Sequence, residues 1–422
     1  MNILIIGSGG REHALAWKSA QDESVSEVFV CPGNAGTALE NKTTNISIDS
    51  NNFEAIENFC ITENIELVII GPEQPLVNGL TDYLHSKNIK TFGPSQAAAQ
   101  LEGSKTFSKD FFIKYGIPTA AYASFDNYDA AIEYIDNIDY PTVVKADGLA
   151  AGKGVIICQN KQEAIKALES IFKDQAFGNA GNRVVIEDFL DGEEASFIAV
   201  VSKDKMIPLA TSQDHKAVGE GDIGLNTGGM GAYSPAPIVD ERMHQKIIDE
   251  VMQPTMEGLI AEGSPYLGFL YAGIMISNGE LKVLEFNCRF GDPETQPILL
   301  RLKSSLVDLC LKAIENTLDS YQIEWTDKHA CGVVIASEGY PENYESNHEV
   351  NIKTIEDQDI KLFHAGTKLD DNKILTSGGR VFCATALGKD LKAAQRNAYN
   401  LVDAVSFNGA FCRRDIGYKG IK

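Results

Sequence analysis

The sequence contains little that could form a disulfide framework or a zinc site. Its eight cysteines include no C-x-x-C pair, and no histidine stands at metal-ligand spacing from them. Scattered cysteines in apolar segments are typical of small core residues that stay reduced, so we expect a cytoplasmic protein without disulfide bonds. The cysteines are Cys31, Cys60, Cys158, Cys288, Cys310, Cys331, Cys383 and Cys412.

Long hydrophobic runs are also missing. Apolar runs such as residues 67–70 and 333–336 are far shorter than the roughly 20 residues that a membrane-spanning helix needs. The amino terminus lacks the basic segment and small-residue cleavage site of a signal peptide, and its pattern predicts a first strand. The sequence therefore predicts no membrane partner.

Positive charge is scarce. The chain has 37 Lys and Arg against 59 Asp and Glu, a formal net charge of −22. A nucleic-acid surface needs a basic patch that displaces counterions, so no nucleic-acid partner is expected. A few basic side chains inside an acidic molecule can still form one pocket for a small anion.

The length and the order of predicted elements indicate several packing units of mixed α/β and α+β class. A chain of 422 residues is too long for one ordinary core and predicts about two to four units. Residues 1–103 alternate strands and helices, which predicts a parallel, Rossmann-like α/β domain. Residues 104–325 form a second unit with a smaller lobe at about 120–192, and residues 326–422 predict a small α+β cap.

Two stretches of the second unit stand out. Residues 214–235 are rich in glycine and lack apolar periodicity, so we predict a long loop there. Residues 241–262 predict one long helix.

Residues 280–296 have the pattern of a strand with one polar face. Strand side chains alternate, so Glu285, Asn287 and Arg289 are predicted to project together. A carboxylate, an amide oxygen and a guanidinium aimed at one point suit Mg²⁺ and phosphate oxygens. On the opposite face we predict Leu284, Phe286 and Phe290.

The same strand runs into a turn that adds Asp292 and Glu294 to this neighbourhood. An alternative for the whole segment is the polar face of a half-solvated strand, in which Glu and Arg merely pair. The strand alone favours neither interpretation.

Lys145 and the glycine-rich segment 148–154 predict a phosphate site. Lys145 stands within an apolar strand, where a lone ammonium is unfavourable. The segment is not a P-loop, because its spacing is one residue short and a strand follows where a helix belongs. A glycine-rich turn between strands can cover phosphates as a lid. A tight hairpin with a snorkelling lysine is the alternative; we favour the lid, because Lys145 needs an anion inside the fold.

Residues 183–194 predict an apolar strand that breaks into an acidic turn. At the break, the backbone of Phe189 and Leu190 can bind an adenine edge. Glu187 and Glu193 can accept hydrogen bonds from an exocyclic amine or a ribose hydroxyl. The alternative is an acidic turn that only faces solvent.

Together, these features form an ordered series of two lysines, a glycine lid, an acidic hinge and a strand with Glu and Asn. The series resembles the ATP-grasp superfamily, in which two lobes clamp ATP and Mg²⁺. At closer range the chain is similar to the phosphoribosylamine–glycine ligase family. The similar segments are GSGGREHA at 7–14, KADGLAAGKG at 145–154, SQDHK at 212–216, NTGGMGAYSP at 226–235, RFGDPE at 289–294 and CRRDIG at 412–417.

This resemblance implies an N-terminal pre-ATP-grasp domain, a two-lobe ATP-grasp domain and a C-terminal cap. It also implies an ATP-dependent ligase of purine synthesis that joins glycine to 5-phosphoribosylamine through a glycyl phosphate. We expect the protein to be a monomer. Its cofactor would be Mg²⁺ or Mn²⁺, held by Glu285 and Asn287. Residues implied to bind ATP are Lys105, Lys145, Gly152, Lys153, Gly154, Glu187, Phe189, Leu190 and Glu193.

The resemblance also implies residues for the other substrates. Arg289 would steady the acyl phosphate, while Asp214 and Lys216 would position the substrates. Gly9 and Gly10, at a helix N-terminus, are a natural place for the ribose 5-phosphate, although it could equally sit elsewhere in the cleft. Asp292 and Glu294 complete the predicted substrate site.

Two other functions remain to be compared. A dinucleotide-dependent oxidoreductase is disfavoured, because Glu12 occupies the place of the third glycine and no acidic residue ends the second strand. Another ATP-grasp carboxylate–amine ligase or purine-pathway carboxylase is disfavoured by segments 214–235 and 289–294.

Overall fold

The structure is a computed structural model, and it describes every residue except 151–153, 175, 177, 354, 356 and 422. The chain begins with a five-stranded parallel sheet in the order β3-β2-β1-β4-β5. Its central strands are buried along most of their length, as expected for a parallel sheet covered on both faces. The elements are β1 Asn2–Gly7, α1 Gly10–Ala20, β2 Glu27–Pro32, α2 Ala35–Leu39, β3 Thr43–Asn45, α3 Phe53–Thr62, β4 Ile65–Ile70, α4 Glu73–Val77, α5 Leu80–Ser86 and β5 Thr91–Phe92.

Two helices lead into a small lobe built on an antiparallel sheet in the order β6-β9-β7-β8. Val144 and Ile186 pack into the core beneath its helices. Alternation therefore turns Lys145 and Glu187 to the other face. The elements are α6 Gln100–Gly103, α7 Lys105–Tyr115, β6 Tyr122–Phe125, α8 Tyr128–Ile135, β7 Thr142–Ala146, β8 Val155–Cys158, α9 Lys161–Phe172 and β9 Val184–Asp188.

The large lobe contains a second antiparallel sheet, in the order β11-β10-β16-β17. The predicted long helix is present as α10 and α11 joined by a π-helical turn, Ile248–Met252. This turn precedes Pro254, which has no N–H for the helical ladder. The elements are β10 Glu193–Ser202, β11 Lys205–Pro208, β12 Gln213–Asp214, β13 Ala217–Gly219, β14 Ile223–Asn226, β15 Gly231–Ser234, α10 Glu241–Ile247, α11 Gln253–Ala261, β16 Leu267–Ser277, β17 Glu280–Asn287, α12 Thr295–Arg301 and α13 Leu306–Ile314.

The last sheet is antiparallel, in the order β12-β15-β18-β23-β20, and β25 also pairs with β18. Helix α14 packs against it through Leu391, Ala394 and Leu401. The elements are β18 His329–Ser337, β19 Asn351–Ile352, β20 Ile360–His364, β21 Thr367–Asp370, β22 Lys373–Thr376, β23 Arg380–Gly388, α14 Leu391–Val402, β24 Val405–Ser406 and β25 Ala410–Phe411.

The prediction of a loop at 214–235 was wrong. Strand β15 lies within this segment and is buried along its whole length. It pairs with β12 on one side and β18 on the other. The segment therefore joins the large lobe to the C-terminal sheet, and the fold class of a parallel α/β domain, a two-lobe unit and a C-terminal α+β unit is confirmed.

The predicted alternation along β17 was also partly wrong. Gly273 pairs with Glu285 while the next residue, Ile274, pairs with Val283, so a bulge falls at Leu284. Leu284 consequently faces the cleft instead of the core. The bulge lets Val283 and Phe286 both be buried while Glu285 still faces the cleft, which strict alternation would not allow.

In the part of the chain that the structure describes, no helix combines the length and the apolar composition needed to cross a membrane.

Candidate active site

A cleft of about 570 Å³ lies between the sheet of the small lobe and the sheet of the large lobe. Residues of the N-terminal domain and of the C-terminal sheet also line it. The predicted site residues that line it are Lys105, Lys145, Gly154, Glu187, Phe189, Leu190, Asp214, Lys216, Glu285, Asn287, Arg289, Asp292 and Glu294.

One end of the cleft carries an excess of positive charge. The carboxylate of Glu187 forms ion pairs with both Lys145 and Lys109, and all three side chains are buried. Burial opposes ionisation, but the two ammonium groups hold the pKa of Glu187 below its ordinary value. Lys105 is nearby, and its Nζ donates to the Gly148 carbonyl at 3.1 Å. Two ammonium groups therefore share the carboxylate of Glu187, and Lys105 brings a third ammonium group to the same end of the cleft, an arrangement suited to an added polyanion.

Apolar side chains line the cleft beside these lysines. The backbone of Phe189 and Leu190 leaves the sheet where β9 ends, as the sequence predicted. Phe189 is 38% exposed, so a flat apolar group could cover it. The other apolar residues of this wall are Val143, Val155, Ile157, Met275, Leu284 and Phe286.

Glu285 and Asn287 project from β17 opposite the lysines. Burial disfavours the charge of Glu285, but Lys216, Lys145 and Lys105 lower its pKa below the ordinary value. In the orientation that satisfies its hydrogen bonds, the Asn287 amide nitrogen donates to Glu102 Oε1 at 3.2 Å. The amide oxygen of Asn287 is then the acceptor that remains for another group.

The chemistry of these two donors fits a hard divalent cation. One ionised carboxylate and one amide oxygen are a small ligand set, of the kind Mg²⁺ uses together with phosphate oxygens and water. Within the described residues, no group of three or more His, Cys, Asp and Glu side chains could hold a metal ion.

The other end of the cleft is acidic and surrounds Lys216. Its ammonium contacts Glu194 and lies 3.8 Å from Glu285 Oε1. Burial alone would lower the pKa of Lys216, yet these carboxylates, Glu194 first, raise it well above its ordinary value. Burial raises the pKa of Asp214, and Glu294 and Glu194 add to this although Lys216 opposes it. Carboxylates outnumber ammonium groups here, which suits a cationic partner.

Arg289 is held tightly between two carboxylates. Its Nε lies 3.2 Å from Glu73 Oε2, and its second terminal nitrogen lies 2.8 Å from Glu102 Oε1. Burial opposes its charge, but Glu102 and Glu73 raise the pKa of Arg289. Its guanidinium is therefore a fixed positive group in the cleft wall.

Arg380 of the C-terminal sheet reaches the same cleft. It donates to the Gly228 carbonyl at 2.6 Å and lies 3.2 Å from Asp292 Oδ2. Tyr340, also from the C-terminal unit, accepts a hydrogen bond from the Gly228 N–H at 3.0 Å. The C-terminal unit therefore completes the cleft instead of only covering it.

One residue predicted to bind the nucleotide, Glu193, does not line the main cleft. Glu193 is exposed and lines a separate shallow depression together with Gly192 and Asp240. Its neighbour Glu194 lines the main cleft. Successive residues of β10 point to opposite faces, which is why Glu194 faces the cleft and Glu193 does not.

The remaining predicted positions are outside the cleft or outside the description. Gly9 and Gly10 do not line the cleft. The Gly9 N–H donates to Glu12 Oε2 at 2.6 Å, so a carboxylate already occupies this helix N-terminus. Gly152 and Lys153 lie outside the described residues.

Several lining residues were not predicted. Lys109, Glu102 and Glu73 lie on helices. Glu73 begins α4 shortly after β4, at the edge of a parallel sheet where ligands bind, whereas no motif surrounds Lys109 or Glu102. Arg380 begins a strand distant in sequence from the other site residues. Only the tertiary packing brings them to the cleft.

Three family models match most of the chain. They are described as Phosphoribosylglycinamide synthetase N domain, ATP-grasp (A) domain and C domain, and they match residues 1–102, 103–295 and 330–419. A phosphoribosylamine–glycine ligase from Vibrio cholerae is 54% identical over 100% of this chain and 99% of its own. Another from Pseudomonas aeruginosa is 54% identical over 100% and 98%.

Solved structures with a similar fold include one from the same family. Phosphoribosylamine–glycine ligase from Thermotoga maritima matches with a TM-score of 0.86 and 34% identity, covering 99% of this chain and 100% of that chain. Biotin carboxylase from Campylobacter jejuni matches with a TM-score of 0.73 and 16% identity, covering 97% and 92%. The second match is a likeness of fold alone.

Proposed function

The chain belongs to the phosphoribosylglycinamide synthetase family, and from this we propose that it joins glycine to 5-phosphoribosylamine in purine synthesis. ATP is consumed, and the products are glycinamide ribonucleotide, ADP and phosphate. The observation that carries the proposal is the division of one cleft into a cationic end and an acidic end around Glu285 and Asn287. This division suits a polyanionic nucleotide at one end and an amino acid at the other.

ATP binds at the cationic end in this proposal. Lys105 and Lys145 contact its phosphates, because they cluster with Lys109 at this end of the cleft. The adenine lies against the apolar wall and is recognised by the backbone of Phe189 and Leu190. Gly154 belongs to the predicted glycine lid and lines the cleft, which supports a lid over the phosphates.

Glu285 and Asn287 hold Mg²⁺ or Mn²⁺ in this proposal. When bound, the cation neutralises phosphate charge that develops during phosphoryl transfer. Lys216, Lys145 and Lys105 keep Glu285 ionised, and Glu102 orients the Asn287 amide.

The amino acid is activated in two balanced steps. A carboxylate oxygen of glycine attacks the γ-phosphorus, the bond to the β-phosphate oxygen breaks, and ADP leaves with that electron pair. The amine of phosphoribosylamine then attacks the glycyl carbonyl carbon, and the C–O bond to phosphate breaks. The proton lost by the amine passes to the released phosphate, which leaves with one oxygen that came from glycine.

Residues around the acidic end position these reactants. Asp214 accepts from the ammonium of glycine, and Lys216 directs the glycine carboxylate toward the γ-phosphate. Arg289 faces the negative charge of the acyl phosphate, where fixed donors are most effective. Asp292 and Glu294 extend the substrate site.

The ribose 5-phosphate fits the arginine-lined part of the cleft better than the turn at Gly9 and Gly10. That turn already carries the carboxylate of Glu12, which would repel a phosphate. Arg380 and Arg11 line the cleft nearby. This favours the alternative that the sequence left open.

A coupled ADP-release assay with each substrate omitted in turn tests the proposal. ADP release should require ATP, a divalent cation, glycine and phosphoribosylamine together. Release that persists when bicarbonate or formate replaces glycine would assign the chain to another ATP-grasp reaction. Release without any amine acceptor would also contradict the proposal.

A further inference from the structure

The C-terminal segment at 412–417 resembles a family motif but does not line the cleft. Arg413 within it is the largest fully buried side chain, with 1% exposure. Burying a guanidinium is unfavourable unless its donors are paired. Its partners therefore indicate why it is there.

Arg413 contacts the segment that directly follows Lys216. One terminal nitrogen donates to the carbonyl of Ala217 at 2.9 Å and to Asp222 Oδ1 at 2.7 Å. The carboxylate of Asp415 accepts hydrogen bonds from Arg413 Nε and from the second terminal nitrogen of Arg413, at 2.8 Å each. Ala217 directly follows Lys216, so Arg413 fixes the backbone next to a residue of the proposed substrate site.

His215 is the second connection. It lies between Asp214 and Lys216, and its side chain is fully buried on the side away from the cleft. The Gly417 N–H donates to His215 Nε2 at 2.9 Å. Asp222 Oδ1 lies 3.5 Å from His215 Nδ1, and Arg413 lies 3.4 Å from the same atom. The C-terminal segment therefore contacts His215 and Ala217, the two residues that flank Lys216.

The partners of Arg413 balance its charge. Asp222 also pairs with Lys419 and accepts from the Tyr418 hydroxyl at 2.9 Å. Two aspartates, one arginine and one lysine therefore form a neutral, interlocked group. We call the group of His215, Asp222, Arg413, Asp415, Gly417 and Lys419 the C-terminal anchor.

We propose that the C-terminal anchor sets the positions of Asp214 and Lys216, and that Arg413 is a positioning residue for the ligase reaction. The side chains of Asp214 and Lys216 line the cleft. The His215 side chain and the Ala217 carbonyl accept hydrogen bonds from the C-terminal anchor. A shift of about 1 Å in such groups is enough to slow a reaction strongly, because reacting atoms must meet in a narrow geometry. This inference rests on the proposed function, in which Asp214 and Lys216 contact the substrates.

The test compares Arg413→Met and Arg413→Lys with Arg414→Met. Arg414 is the adjacent arginine of the same motif, is 54% exposed, and pairs on the surface with Asp403 at 2.9 Å. Each purified full-length variant is assayed for the KM of glycine, phosphoribosylamine and ATP, for kcat, and for its thermal unfolding temperature.

Arg413→Met should raise the KM of glycine or phosphoribosylamine about tenfold or more, with the KM of ATP within about twofold of wild type. Arg413→Lys should recover part of the loss, because it restores the charge but not the full set of hydrogen bonds. Arg414→Met should behave as wild type.

A purely structural role predicts a different result. Arg413→Met would then lower kcat in proportion to the folded fraction, with every KM unchanged, and this would overturn the proposal. Wild-type kinetics for Arg413→Met would overturn it as well. If that variant does not fold, Asp415→Asn loosens Arg413 without emptying its site, and it must show the same selective rise in KM. Wild-type protein without glycine-dependent ADP release would instead refute the proposed function.

Discussion

Lys145 and Glu187 form a buried ion pair across neighbouring strands of the small lobe, with side chains 7% and 3% exposed. The sequence indicated that Lys145 needs an anion, and the folded chain already supplies one. Lys109 shares the same carboxylate. The pair is therefore part of a cluster of ammonium groups that could contact the phosphates of a nucleotide.

Replacing Glu187 should destabilise the protein. Glu187→Gln leaves two buried ammonium groups without their shared carboxylate, and removing one partner of a buried pair costs about 3–5 kcal/mol of unfolding free energy. Urea unfolding monitored by circular dichroism measures this difference. Glu193→Gln, the same change at an exposed carboxylate, is the control and should stay within about 0.5 kcal/mol of wild type. Equal stability of the two variants would contradict the ion-pair account.

Glu193 and Glu194 point to opposite faces of β10, and this leads to a prediction about activity. Glu194→Gln should reduce kcat/KM for ADP release about tenfold or more, because Lys216 loses its closest carboxylate. Glu193→Gln should leave kcat/KM within about twofold of wild type. The two variants are compared in the coupled assay at saturating Mg²⁺. A larger loss for Glu193→Gln would show that the opposite face of the strand binds the substrates.

Glu285→Gln should nearly abolish turnover without unfolding the protein. We expect kcat to fall about 100-fold or more, because the only acidic donor proposed for the metal is lost. Glu280→Gln is the matched control, since this residue lies on the same strand with an 81% exposed side chain. Steady-state kinetics and thermal unfolding are measured for both. Near-normal turnover of Glu285→Gln would remove that residue from the mechanism.

Asp214, which the proposed function places in the substrate site, should lower the free energy of unfolding at neutral pH. Burial raises the pKa of Asp214 above its ordinary value of 3.8, so the folded state resists ionisation more than the unfolded state does. Below that pH the Asp214 carboxyl is protonated in both the folded and the unfolded state, so its ionisation does not change the free energy of unfolding. As pH rises through the raised pKa, the stability of wild type falls relative to that of Asp214→Asn.

Asp214→Asn should therefore be more stable than wild type at about pH 8, and the difference should shrink toward about pH 4.5. Lys216 keeps Glu194 as a partner in this variant. Urea unfolding at several pH values measures the trend, and the coupled assay should show loss of glycine-dependent turnover. A variant that is less stable than wild type at neutral pH would contradict the account.

Local patterns were sufficient for much of the fold. The alternation of strands and helices over residues 1–103 predicted a parallel sheet, and Lys145 within an apolar strand predicted an anion beside it. Glu285 and Asn287 were assigned to one face, and both line the cleft. These features depend on neighbours in the sequence, which is why the sequence alone was informative.

The errors have a common physical origin in pairing between distant segments. Strand β15 has little periodicity because it is buried between β12 and β18, so 231–234 resembled a loop. The bulge at Leu284 depends on how β17 pairs with β16. Arg380 reaches the cleft, and Arg413 reaches the backbone beside Lys216, only through the packing of the C-terminal sheet and segment. No local sequence pattern predicts those contacts.

The central claim is that the carboxylate of glycine is activated as an acyl phosphate in this cleft. The most direct test incubates wild-type protein with ATP, phosphoribosylamine and glycine labelled with ¹⁸O in its carboxylate, and analyses the released phosphate by mass spectrometry. The account predicts that each phosphate carries one ¹⁸O atom from glycine, because the C–O bond to phosphate breaks when the amine attacks. Phosphate without the label would contradict it.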